Sequence, residues 1–177
     1  MRLRIKSSTI ESVREIVFGL EDSLVSTMGA VTGIAIGTGD QAVVILSGLV
    51  ILAVEAISMA AGSFLSTKTA ELAEDKSSKT VKKQSIKAAV VMFLSYFVGG
   101  AVPLTPYLFL EPSLAIFPSI LFTVIALAGV GLWASRYTKR SPWKSAAEMV
   151  IISLAAAAIG YLVGWVVSNY FGLNTNA

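Results

Sequence analysis

Apolar residues come in five long runs along this chain, separated by short polar segments. Each run is close to the about 20 residues that an α-helix needs to cross roughly 30 Å of hydrocarbon. The pattern predicts transmembrane helices over residues 16–37, 42–65, 88–106, 114–134 and 146–167. Their links are a turn around Thr38, Gly39 and Asp40, a polar segment over 66–87, a loop around Glu111 and Pro112, and residues 135–145. Links this short imply antiparallel neighbours. Pro103, Pro106 and Pro118 fall near helix ends or inside runs, where neighbouring helices must meet the lost backbone bonds. The first run follows a polar stretch, 1–15, and lacks the small-residue cleavage signature of a signal peptide, so it reads as a retained helix. The expected fold is all-α: one transmembrane domain over residues 1–177.

Composition agrees. The chain has 177 residues, of which 55% are hydrophobic and 14% charged, with a mean hydropathy of +0.75. A soluble domain carries about a quarter charged residues, whereas lipid-facing helices need almost none. The absence of Cys and His excludes disulfides, thiolate zinc sites and histidine ligation, so any metal must be held by oxygen or thioether. Without those side chains or a phosphate-cradling loop, no nucleophile and base can be assembled. The chain therefore reads as a non-enzyme with no catalytic residue and no permanently bound cofactor.

Charge distribution sets an orientation. Arg2, Arg4, Lys6 and Arg14 precede the first run, and Lys68, Lys76, Lys79, Lys82, Lys83 and Lys87 lie between the second and third. Arg136, Lys139, Arg140 and Lys144 lie between the fourth and fifth. All fourteen basic residues thus share one side, and the other side holds Asp40, Glu111 and the tail after Val167. Lys and Arg in short loops stay in the cytoplasm, which puts the amino terminus inside and, after five spans, the carboxyl terminus outside. The pI near 9.2 is then a topology signal and gives no support to nucleic-acid binding.

Glu21, Asp22 and Glu55 lie inside predicted spans. An ionised carboxylate at mid-bilayer costs about 2.5–3.5 kcal/mol on insertion scales, so such residues mark ion paths or are protonated or solvated near the interface. Asp22 lies fifteen residues before Gly37, and Glu55 thirteen after Ala42. At about 1.5 Å per residue, both sit about 20–22 Å below the outer ends. Two carboxylates at one level on adjacent helices could ligate a divalent cation, which would relieve their desolvation and repulsion. Met59 projects from the Glu55 face at i+4. Beside carboxylates its thioether would favour a transition metal; alternatively it is ordinary packing. Ser26, at i+4 from Asp22, could donate to it, ligate weakly or serve helix packing. Glu148 either guides cations at the start of the fifth span or complements its helix dipole.

Gly29, Gly33 and Gly37 leave one face of the first span bare, and Gly160 and Gly164 do the same in the fifth. Such faces allow close backbone approach, in a dimer interface or an internal contact alike. The 66–87 segment reads as a solvated helical extension of spans two and three, with Lys68–Glu71 and Asp75–Lys79 as ion pairs.

Four stretches resemble the vacuolar iron transporter family, in order and over nearly the whole chain. EDSLVSTMGAVTGIA resembles the family's first-span motif, with Ser23 where Gly is usual, and AISMAAGSFLS resembles its second-span signature, with Phe64 in place of Tyr. GGAVPLTPYLF is similar to the end of the third span, and RYTKRSPWKSAAEMVIISLAAAAIGYLVG to the hinge between the last two helices. The resemblance implies a five-helix homodimer that passes divalent iron or manganese along a path between protomers in exchange for protons. Asp22 and Met59 fall on positions that the resemblance implies are metal-binding, whereas Glu55 matches none. Here the link between spans two and three is short and basic, where members that load vacuoles carry a long Glu-rich cytoplasmic domain. This implies a compact, prokaryotic plasma-membrane member, with a vacuolar membrane as the alternative site. It also leaves open a second function, a membrane scaffold or regulatory subunit that kept the fold without transport.

Overall fold

The computed structural model describes residues 7–137 and 141–171. Arg2, Arg4, Lys6, Lys139, Arg140 and the tail 172–177 lie outside the described residues. The described chain forms five helices: α1 Ser7–Thr38, α2 Gln41–Ala73, α3 Ser78–Leu104, α4 Pro112–Ala134 and α5 Pro142–Phe171. A 3-10 turn, Thr105–Leu108, follows α3. No strand occurs among the described residues.

Local chemistry fixes the joints. Gly39 takes a left-handed φ of 64° and its N–H bonds back to the Ala35 carbonyl at 2.9 Å, which ends α1. The Asp40 carboxylate then caps α2, accepting from the backbone N–H of Ala42 at 2.8 Å and of Val43 at 3.1 Å. Pro112 opens α4 at a position where its missing N–H costs nothing. The 66–87 segment is helical apart from a tight turn after Ala73, with Asp75 at φ 53°. Its ion pairs differ from those the sequence suggests. Lys76, not Lys68 or Lys79, is the partner, reaching Glu71 and Glu74 at 2.9 Å each.

α1 is the central helix and packs on all four others. Around it α2 packs on α3, α3 on α4 and α4 on α5, forming an arc that stays open between α2 and α5. This placement explains why α1 lacks the long charge-poor apolar stretch that the other four helices carry. The other four are each long and apolar enough to cross a membrane, whereas α1 carries Glu11, Arg14, Glu15, Glu21 and Asp22. A helix that meets protein on most sides has little need of a lipid-compatible surface. Its buried face holds Ser23, Leu24, Thr27, Met28, Val31, Thr32 and Ala35.

Two apolar clusters lock the bundle. Val31 and Ala35 meet Val44, Leu104, Tyr107 and Ala115 toward the Gly39 end, while Leu52, Ala56 and Tyr96 pack together deeper in. The outer surface is just as apolar: Leu46, Val54, Ile57, Phe117 and Ile151 are 61–72% exposed. A contiguous apolar exterior of this kind is untenable in water and is required in lipid. The protein is integral to a membrane.

The small-residue stripes meet each other inside one chain. A Cβ placed on Gly33 would lie 2.8 Å from the Gly160 carbonyl oxygen, and one on Gly37 would lie 3.6 Å from that of Gly164. Gly29 packs on Ala156 in the same register. The stripes therefore form an internal α1–α5 contact with the two helices parallel.

Candidate metal site

The carboxylates of the first two helices come together as their spacing implies. Asp22 lies within electrostatic reach of Glu55 and of the Tyr96 hydroxyl. Ser26 Oγ donates to Glu55 Oε2 at 3.2 Å and sits 2.9 Å from the Tyr96 hydroxyl, which itself donates to the same Glu55 oxygen. Three oxygens from α1, α2 and α3 thus form a closed triangle with Asp22 beside it. Tyr96 is 1% exposed and rigidly packed against Leu52 and Ala56, so it holds the Glu55 carboxylate in place. Ser26 consequently orients Glu55, rather than Asp22 as its i+4 spacing suggests.

Met59 packs against the Leu52, Ala56 and Tyr96 cluster and also lines a cavity of about 780 Å³ on the side of the α2–α3 turn. It stands between the carboxylate level and that cavity, so its packing and ligand roles are compatible. Four acids, Glu11, Glu15, Glu71 and Glu74, line the cavity together with Ser63 and Gln84. Glu15 is 5% exposed and accepts from Ser63 Oγ at 2.8 Å and Arg14 Nη2 at 2.9 Å. Glu71 is also buried, and its carboxylate accepts from Lys76 Nζ at 2.9 Å. With the Gln84 amide nitrogen turned toward it, that one nitrogen donates to both Glu71 oxygens, at 2.6 and 3.1 Å. Hydrogen bonds to Glu71, then Glu74, hold the Lys76 ammonium above the ordinary lysine range against its own desolvation.

Sequence reasoning missed Glu15 and Glu71, and the second miss corrects the view of the 66–87 segment as merely solvated. A signal was present. Glu11, Glu15, Asp22 and Ser26 recur at helical spacing along α1, and Glu55, Met59, Ser63, Ser66, Ala70 and Glu74 do so along α2. Antiparallel packing sets these two stripes face to face, with Ser63 opposite Glu15 and Glu55 opposite Ser26. Two to three helical turns, or about 12–16 Å, separate the two levels.

Glu21 is partly exposed next to Asp22 and stands outside the triangle. Glu148 is exposed on α5, away from the cavity. Continuing the α1–α5 register back from Gly29 and Ala156 puts Glu148 at the level of Glu21, deeper than the start of the span.

The donors at the Asp22 level are two carboxylates, two hydroxyls and a thioether one turn away. Oxygen suits a hard divalent ion, and the added sulfur favours a transition metal. Among the described residues no three acidic side chains group closely enough to hold an ion. Ser26 also lines a second opening, an apolar groove of about 570 Å³ that runs along α1 and α5 past Gly29, Gly33 and Gly160.

The sequence model of the VIT family matches residues 13–85 and 71–165. This chain belongs to the VIT family. Vacuolar iron transporter 1 of Oryza sativa subsp. japonica is 25% identical over 210 aligned residues, covering 85% of this chain and 83% of its own length. Vacuolar iron transporter 1 of Arabidopsis thaliana is 22% identical over 218, covering 90% and 87%. Both alignments exceed the 177 residues of this VIT family chain, so the plant proteins carry residues without counterpart here. The two matched segments meet at the α2–α3 turn. An uncharacterized protein of Methanocaldococcus jannaschii aligns over only 167 residues at 26% identity, covering 85% of this chain and 87% of its own length. Membership of the VIT family places the chain among membrane transporters, not enzymes.

Proposed function

We propose that this protein carries divalent iron or manganese out of the cytoplasm in exchange for protons, through a homodimer in the plasma membrane of a prokaryote. The observation that carries the reading is the Asp22, Ser26, Glu55 and Tyr96 cluster, joined through Met59 to an acid-lined cavity. Groups that bind either a metal or protons couple the two flows, because each site must lose its protons to take the ion. The names of the plant relatives support iron as cargo, and the thioether supports a transition metal over calcium.

In this reading all five helices cross. The 32 residues of α1 span about 48 Å, and its acids are tolerated because the other four helices enclose most of it. The described basic residues gather at the end that holds the α2–α3 turn, which supports a cytoplasmic amino terminus. The arc around α1 is open between α2 and α5, and Ser26 faces that opening. A second protomer seated there would bring its own donors to the Asp22 level and complete the shell. The acids of the cytoplasmic cavity would do, on a smaller scale, the collecting that the resemblance assigns to a longer domain.

The test is flux into liposomes that hold a metal-sensitive dye, with iron, manganese, zinc and calcium compared with and without a pH gradient. Selective, gradient-dependent uptake of iron or manganese is expected. Folded, inserted protein that moves none of the four ions would contradict the reading.

A further inference from the structure

The cavity acids already have a cation. Lys76 is fixed on the turn between α2 and α3, and its ammonium sits 2.9 Å from Glu71 and 2.9 Å from Glu74. Both carboxylates face the cavity, while Lys76 stands behind them and does not line it. The turn aims the side chain there: the Lys76 N–H bonds to the Glu71 carbonyl at 3.3 Å, and the left-handed Asp75 reverses the chain just before it. Glu71 cannot swing away, because its side chain is 6% exposed and its second oxygen is held by Gln84. Lys87, which lines the cavity, and Arg14, on Glu15, are the other basic residues at this site. Lys76 bridges two of the acids.

We propose that Lys76 is a tethered counter-cation that sets the metal affinity of the cytoplasmic cavity by neutralising Glu71 and Glu74. This rests on the reading of the cavity as a cation path. The consequence is a chamber of moderate affinity. A divalent ion meets a cavity lined by four acids, two of which, Glu71 and Glu74, are offset by the Lys76 charge, so it is attracted and then released onward. The two 2.9 Å pairs keep the ammonium on both acids. A site that bound the ion too tightly would stall transport, because binding strength that is not lost at the next step becomes a barrier to leaving.

The test compares wild type, Lys76→Met and Lys76→Arg, with manganous ion as the probe. Lys76→Met is expected to lower the KM for manganese about threefold to tenfold, the effect of deleting one unit charge near a divalent ion in a partly solvated site. Lys76→Arg, which restores the charge, should return KM to the wild-type value. A residue that merely braced the turn would do the opposite, since its loss would lower the maximal rate or the yield of folded protein without tightening binding. The second readout is the rise in melting temperature on adding manganese, which should be larger in Lys76→Met than in wild type even if the variant starts out less stable. Unchanged KM and an unchanged manganese-induced shift in Lys76→Met would overturn the proposal. The thermal readout decides it even if wild type moves no metal, a result that would overturn the transport reading separately.

Discussion

Replacing Gly160 by Ala adds one methyl group where α5 crosses α1. The new Cβ would press on the Gly29 carbonyl, 2.9 Å from its carbon and 3.2 Å from the Gly29 Cα. Those are backbone atoms of a helix held on four sides, so no rotamer change relieves the overlap and the two helices must part. Overpacking of this kind costs about 1–3 kcal/mol. The better helix propensity of Ala returns up to about 1 kcal/mol, for a net loss of about 1–2 kcal/mol. For a chain of this size that lowers the melting temperature by about 2–8 °C. Gly129→Ala on α4 is the matched control, because its Cβ would meet nothing within 4 Å. It gains the propensity without the overlap and should melt at or above wild type. The assay is thermal unfolding of purified protein in detergent, read by loss of the monodisperse peak on size exclusion. If Gly160→Ala melts at or above wild type while Gly129→Ala falls, the close α1–α5 contact is wrong.

The other predictions concern the polar path. Glu55→Gln should reduce metal transport at least about tenfold, since hydrogen bonds to a charged group are the strong ones, and Tyr96→Phe should reduce it less, because Ser26 still holds the carboxylate. Initial rates in liposomes check both, and equal losses would deny the carboxylate its leading part. Met59→Ala should shrink the preference for manganese over calcium by about tenfold, read from competition between the two ions. Unaltered competition would leave Met59 as packing only. Ser63→Ala removes a donor from the buried Glu15 carboxylate and should cost about 1.5–3 kcal/mol of stability, visible as a lower melting temperature.

The helices were legible because lipid imposes one requirement on every outward position: α2, α3, α4 and α5 show it as unbroken apolar runs. The continuation of α2 and α3 into 66–87 was legible as a helical extension, but not the turn that divides it. α2 continues to Ala73 and α3 begins at Ser78, because a helix that leaves the bilayer keeps its backbone bonds while its side chains turn polar. α1 was legible as a helix from its run over 16–37, although the acids it carries at the centre of the bundle interrupt its apolar stretch. Asp22 and Glu55 stood out because acids are rare in apolar surroundings, and counting residues from the outer turn placed them together. Tyr96 did not stand out, since a tyrosine among apolar residues is ordinary and only tertiary packing turns its hydroxyl onto Glu55. Glu15 and Glu71 were hidden in charged stretches that look solvated, although the helical spacing of Glu11, Glu15, Asp22 and Ser26 carried the information. The glycine stripes showed that helices meet closely but not which ones, because a bare face fits a partner in the same chain or in another. The Lys76 pairs depend on a left-handed turn at Asp75 that no periodicity signals.

The most direct measurement is manganese uptake into liposomes by wild type and Asp22→Asn, prepared side by side and matched for inserted, folded protein. Asn keeps the shape of Asp22 and removes its charge, so the bundle should persist while the metal site fails. The account predicts pH-gradient-dependent uptake by wild type and a loss of at least about tenfold in the variant, the scale of removing a charged ligand from a low-dielectric site. Uptake by Asp22→Asn at the wild-type rate would contradict it, and the metal path would have to be sought away from the Asp22–Glu55 level.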